Sequence, residues 1–132
     1  RSDSTSASIE QYLDEGLVSA RTLTDYLFDR MEAHDLRRAD VVRASGLNAT
    51  VVYDIFSGKS RPGRDHAIML AFGLKCTLRE TQRLLRLAGV SELWCKQRRD
   101  AIIIWCIRNG FDRIATDDEL YRMGEATLLP AD

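Results

Sequence analysis

The sequence predicts an all-α domain, and three observations carry that prediction. Apolar residues recur at helical spacing in one segment after another, and no strand-like alternation competes with them. Glycine followed by an apolar residue punctuates the chain at Gly46-Leu47, Gly73-Leu74, Gly89-Val90 and Gly110-Phe111, the form of a helix stop with its hydrophobic contact. Capping signatures precede several of the apolar runs, the fullest being Thr77-Leu78-Arg79-Glu80. With 132 residues and 45% hydrophobic content the chain makes one domain, able to bury about two thirds of its unfolded surface without disulfides or metal.

Residues 1–8 are Ser-rich and lack apolar periodicity, which predicts a flexible N-terminal tail. Ile9, Tyr12, Leu13 and Leu17 give a short amphipathic helix ending near Gly16 to Ser19. Thr22 and Asp25 form a capping-box pattern that opens a helix with Leu23, Tyr26, Leu27, Met31 and Phe28 inward. His34 falls at the end of that helix, a favourable place for an imidazole, and is given no ligand role. The next helix, Arg37 to Ser45, turns Val41, Val42 and Ala39 inward and Arg37, Arg38, Asp40 and Arg43 outward, and Gly46 stops it. Asn48 to Phe56 follows. Val51, Val52, Ile55 and Phe56 make one stripe, so Ala49, Thr50, Tyr53, Asp54 and Ser57 point the other way.

Gly58 to Arg64 is a turn with three cations, Lys59, Arg61 and Arg64, and no acid; Pro62 and Gly63 break whatever precedes them. The helix after it buries Ile68, Met69 and Phe72 with Ala67 and Ala71. The helix opened by Thr77 buries Leu78, Leu84, Leu85 and Ala88 and keeps Arg79, Arg83 and Arg86 outside. After a connection over Val90 to Cys95, the segment Lys96 to Asn109 is apolar around nearly its full circumference. Its isoleucines also suit a buried strand, but Gly110 and the helical context favour a helix. Such a helix must be covered on every side, so it is either central or the middle of a homodimer interface. The last helix has two candidate starts, Asp112 and Thr116, and ends at Gly124. The expected organisation is thus one helical domain over 9–124, with a core at about 22–89, a C-terminal extension at about 96–124 and a tail over 125–132.

Composition limits the function classes. Net charge is -1, yet residues 37–110 carry 14 basic against 6 acidic side chains, while the segments on either side of them are acidic. Solvation of helix faces accounts for many of these charges, and an electrostatic footprint for phosphates would leave the same asymmetry. Cys76, Cys95 and Cys106 are odd in number and lack a C-x-x-C pair, which points to a reducing compartment. The longest apolar run, Ala101 to Ile107, is far short of the ~20 residues that cross a bilayer, so a cytoplasmic protein without membrane contact is expected. Catalytic motifs are absent: there is no H-E-x-x-H, no Gly-rich phosphate loop and no G-x-S-x-G. Neither an enzyme, nor a cofactor, nor a metal is expected, because the cysteines and His66 lie at irregular spacing and read as ordinary packing residues.

The span Arg37 to Leu74 resembles the lambda-repressor-like, XRE-type helix-turn-helix family of bacterial and phage regulators. Gly46-Leu47-Asn48 matches its turn, Val52 and Ile55 its buried third-helix positions, and Gly58-Lys59-x-x-Pro62 its G-K-x-x-P. Arg38 stands where the family often has Gln, and Ala49 and Asp54 where it often has a basic or amide residue. The resemblance implies a sequence-specific regulator that binds double-stranded DNA, with Asn48 to Phe56 in the major groove and phosphates held by the helix from Arg37 and the loop at Lys59. Arg37, Arg38, Lys59, Arg61 and Arg64 are the phosphate candidates. Asn48, Ala49, Thr50 and Tyr53 form the DNA-facing set, although the capping role expected of Asn48 accounts for that residue without a base contact. A protein-interaction module on the same scaffold, docking through Tyr53, is the alternative.

Overall fold

The computed structural model describes residues 9–10 and 22–130, and among them the regular structure is all helical, with no strand. The described helices are α1 (22–33), α2 (Arg38–Ser45), α3 (Ala49–Phe56), α4 (Arg64–Gly73), α5 (Leu78–Leu87), α6 (Arg98–Arg108) and α7 (Arg113–Arg122). Ile9 and Glu10 are helical and exposed; the rest of the expected first amphipathic helix, and residues 1–8, lie outside the described residues. Thr22 is the first described residue of α1, so the start of the helix read from Thr22 and Asp25 lies at the edge of the described residues.

The centre of the fold is α4. Seven of its ten residues, Ala67 to Gly73, are buried, and α2, α5 and α7 all pack on it. Gly73 makes the closest of these approaches possible: a Cβ there would stand 2.8 Å from both the Ser45 Cβ and the Val41 carbonyl oxygen. Gly73 was expected as a helix stop, but it is the last residue of α4, and the left-handed residue that ends the helix is Lys75 at φ 57°. Its lack of a side chain serves packing instead of backbone reversal.

α6 is neither central nor apolar on every side. Only Asp100, Ile103 and Cys106 are buried, and Trp105 is 53% exposed, packed edge to face on Phe111 with ring centroids 5.3 Å apart. Lys96 and Gln97 precede the helix rather than opening it, and Asp112, not Thr116, caps α7 by accepting from the Ala115 N–H at 2.8 Å. The segment expected as a loose C-terminal tail is held through Leu129. Leu128 is buried, Arg98 pairs with Glu125 at 3.0 Å, and the Arg99 Nε donates to the Ala126 carbonyl at 2.9 Å.

On the other side, α1 packs Leu23 and Leu27 into the core. Phe28, expected inward, is 44% exposed, but its ring meets Phe56 edge to face at 5.2 Å. Glu80 ties α1 to α5: its carboxylate accepts from Thr77 N–H at 2.9 Å and pairs with Arg30 and with His34 at 3.1 Å. Burial pushes the Glu80 carboxyl up, but the Thr77 N–H and the His34 and Arg30 side chains outweigh it and hold the group below its ordinary range. The T-x-x-E box is complete, since the Glu80 N–H also donates to the Thr77 hydroxyl at 3.2 Å.

Candidate nucleic-acid interface

α2 and α3 are each eight residues long, joined by Gly46, Leu47 and Asn48. The Arg37 N–H donates to the Asp40 carboxylate at 3.0 Å, which starts α2 and, with Arg43 beside it, holds the Asp40 carboxyl low. At the other end Gly46 takes φ 81°, a left-handed conformation that costs other residues roughly 1–2 kcal/mol, and Leu47 folds back into the core. The Leu47 N–H donates to the Ser45 hydroxyl at 3.1 Å, and that hydroxyl in turn donates to the Val42 carbonyl, so the turn is pinned from within.

Asn48 then caps α3, its side-chain oxygen accepting from the Thr50 N–H at 2.8 Å. Val52, Ile55 and Phe56 are buried, while Ala49, Thr50 and Tyr53 are exposed on the opposite side of the same helix. No acid sits in its first turn. The stripe read from the sequence is therefore the observed one, with Val51 half-buried at its edge. Tyr53 is 47% exposed, and the Arg38 guanidinium lies over its ring, 5.1 Å from the centroid. That cation–π contact joins the outer faces of α2 and α3 into a single surface and fixes an arginine head beside the exposed side of α3.

Beyond α3 the Asp54 carbonyl accepts from the Lys59 N–H at 2.9 Å and the Ser60 N–H at 3.1 Å. These bonds hold the Lys59 loop against the C-terminal end of α3 and leave Lys59 exposed. Of the five cations singled out in the sequence, Arg37, Arg38 and Lys59 are thus exposed: Arg38 over the Tyr53 ring, Arg37 before it at the start of α2, and Lys59 in the loop that follows α3.

The remaining two are turned to internal work. Arg64 donates from Nε to the Ser91 carbonyl at 3.0 Å, from Nη2 to the Glu92 carbonyl at 2.9 Å, and from both Nη atoms to the Asp100 carboxylate at 3.1 and 2.7 Å. Its guanidinium is a bracket between α4, the connection 90–97 and α6, not an open phosphate contact. Asp100 is buried and also accepts from the Trp94 N–H at 2.9 Å. Burial raises this carboxyl, but the Arg64 hydrogen bonds, the Trp94 N–H and the nearby guanidinium charges prevail and keep it below the ordinary carboxylate range. Arg61 is exposed, yet it donates to the Ala88 carbonyl at 3.2 Å and the Leu87 carbonyl at 3.4 Å, placing its charge at the C-terminus of α5.

Among the described residues no group of three or more His, Cys, Asp or Glu side chains is arranged to hold a metal ion, and no helix is long and apolar enough to cross a membrane. The three cysteines are unpaired. Cys76 is removed from chemistry by its surroundings: burial first, and the Glu80 charge second, push its thiol up to about 12. Comparison with protein-family models, curated proteins and solved structures finds no match to this chain.

Proposed function

We propose that the chain is a lambda-repressor-like, XRE-type helix-turn-helix protein that binds double-stranded DNA sequence-specifically through α3 and regulates transcription. The observation that carries this reading is the exposed face Ala49–Thr50–Tyr53 of α3 with Arg38 stacked on Tyr53, together with exposed Arg37 at the start of α2 and exposed Lys59 in the loop after α3. A short helix that buries one stripe and offers a small, acid-poor first turn suits the major groove, and flanking cations suit phosphates on either side. Because the Asn48 oxygen is occupied by the Thr50 N–H, Asn48 acts as a cap and leaves base discrimination to Thr50 and Tyr53. Arg61 and Arg64 contribute to shape instead of binding. In this reading the protein works by binding, without catalysis or cofactor, in the reducing cytoplasm that its three unpaired thiols suit.

The proposed assembly is a homodimer through the C-terminal helices. Trp105 and Met123, both exposed, line an open groove of about 320 Å³ between α6 and α7 together with Ile102 and Ala101. Sedimentation at micromolar concentration tests this: a Trp105→Glu variant is expected to shift the protein to monomer, and a wild type already monomeric rules the dimer out.

The exposed ring of Tyr53 supports a second reading, in which the same face docks on a protein. Selection of genomic fragments by the purified protein in ~150 mM salt separates the two, since non-specific association has Kd of only ~10⁻⁴ to 10⁻⁶ M under such conditions. The DNA reading expects an enriched sequence that Tyr53→Ala or Thr50→Ala no longer discriminates; no enrichment leaves the protein-docking reading in its place.

A further inference from the structure

Arg113, the first residue of α7, is a buried arginine far in sequence from the α2–α3 turn, yet it lies directly against it. A Cβ on Gly46 would stand 2.6 Å from the Arg113 Nε, 3.0 Å from Cζ and 3.1 Å from Nη2, so the guanidinium occupies the space that a side chain at this turn would need. Only 9% of Arg113 is exposed. Its Nη1 donates to the Asp117 carboxylate at 2.7 Å, and its Nε is buried without a partner. Asp117, itself buried, accepts further from the N–H groups of Leu128 and Leu129 at 2.6 and 3.1 Å. One chain of contacts therefore runs from the backbone at 128–129 through Asp117 and Arg113 to the turn that aims α3.

Burying a guanidinium with an unmatched N–H is costly, and a leucine or methionine would fill the same space without that cost. What the arginine adds is a cation fixed at the C-terminus of α2, where the helix dipole and the terminal carbonyls favour positive charge, and a planar group packed against the Gly46 position. Gly46 thus serves twice: it takes the left-handed φ, and a side chain in its place would have to displace the Arg113 guanidinium.

We propose that Arg113 is a positioning residue for α3: braced by Asp117 and the 128–129 backbone, it holds the Gly46 turn in the one conformation that presents Thr50 and Tyr53 correctly. In its link to DNA this rests on the reading of α3 given above; in its link to the turn it does not. Coupling of this kind also makes the C-terminal segment a control point, because whatever lifts residues 128–129 from Asp117 frees the guanidinium and loosens the turn.

Native-state amide exchange of the full chain, wild type against Arg113→Met and Arg113→Lys, tests it. The turn amides are those of Gly46 and Leu47, and the core reference is the Leu74 amide, which donates to the Leu70 carbonyl at 2.8 Å. Local opening of the turn should raise its exchange about tenfold in Arg113→Met with little change at Leu74, and less in Arg113→Lys, which keeps the charge but not the flat surface. Equal acceleration of turn and core, or none at either, overturns the proposal by making Arg113 a general stabiliser or a bystander. Should Arg113→Met not fold, the same comparison is made on Arg113→Lys with Asp117→Asn. Affinity for a selected duplex is then expected to drop about tenfold in Arg113→Met with its salt slope unchanged, because no phosphate contact is lost. A loosened turn with unaltered affinity overturns the link to DNA. If the wild type selects no duplex, the DNA reading falls while the exchange comparison still decides the role of Arg113.

Discussion

Two groups of arginines look alike in the sequence and meet opposite fates. Arg37 and Arg38 open α2 and stay exposed, one as the residue before the helix and the other stacked on Tyr53. Arg61 and Arg64 flank Pro62-Gly63 in an equally basic stretch, and both are consumed by carbonyls and a carboxylate of distant elements. The difference lies in what each finds within reach. α2 and α3 pack on the core through their other faces, and Arg38 stays exposed over the Tyr53 ring. Arg64 sits at the start of the central helix, where the connection 90–97 and α6 close over it and supply a buried aspartate. A cluster of cations therefore states a local charge and does not state its availability.

The largest expected effect sharpens this contrast. Arg64→Ala leaves Asp100 buried without its counter-ion and should destabilise the fold by about 3 kcal/mol, since breaking such a pair from one side strands a charge. Arg38→Ala removes an exposed cation–π contact and should cost under about 1 kcal/mol. Chemical denaturation of both variants checks the pair, and equal losses would erase the distinction between the two groups. Next in size, Asp100→Asn keeps an acceptor but loses the charge, for about 2 kcal/mol, the scale of a hydrogen bond to a charged group.

The pH dependence follows from the same residue. A carboxyl held below its ordinary range in the fold contributes stability above its unfolded pKa of about 4, and that contribution disappears as pH falls through the folded value. Asp100 and Glu80 both carry such depressed groups. Thermal stability should therefore drop on acidification below about pH 4, and Asp100→Asn should flatten that drop. An unchanged acid limb in Asp100→Asn would show that its charge does not contribute. The smallest effect is chemical: at pH 8 an alkylating reagent should modify exposed Cys95 well before half-buried Cys76, whose thiol stands at about 12. Peptide mapping reads this directly.

What the sequence made legible was local. The stripe Val52, Ile55 and Phe56, the Asn48 cap, the Gly46 stop and the Thr77–Glu80 box each depend on residues within one or two helical turns, and the structure contains all of them. What it hid was set by partners far along the chain. Asp100, 36 residues from Arg64, decides the fate of that arginine, and Leu128 becomes a core residue only because Asp117 and Arg99 catch the segment around it. Gly73 looked like the other helix-stopping glycines because its role, letting α2 approach α4, has no local signature. The triple isoleucine of α6 suggested a fully covered helix, yet Trp105 lies on its open side. The exposed strip on α3 was legible as an arrangement; whether cations around it were free was not.

Salt dependence of duplex binding tests the central claim, that the strip from Arg38 to Lys59 faces DNA. The affinity of the wild type, Arg38→Ala and Arg122→Ala for one selected duplex would be measured across ~50 to 200 mM salt, a range over which each phosphate contact contributes about one to the slope of log affinity against log salt. The account predicts a slope smaller by about one for Arg38→Ala and unchanged for Arg122→Ala, which lies on α7 beside Glu119. Three identical slopes would contradict it.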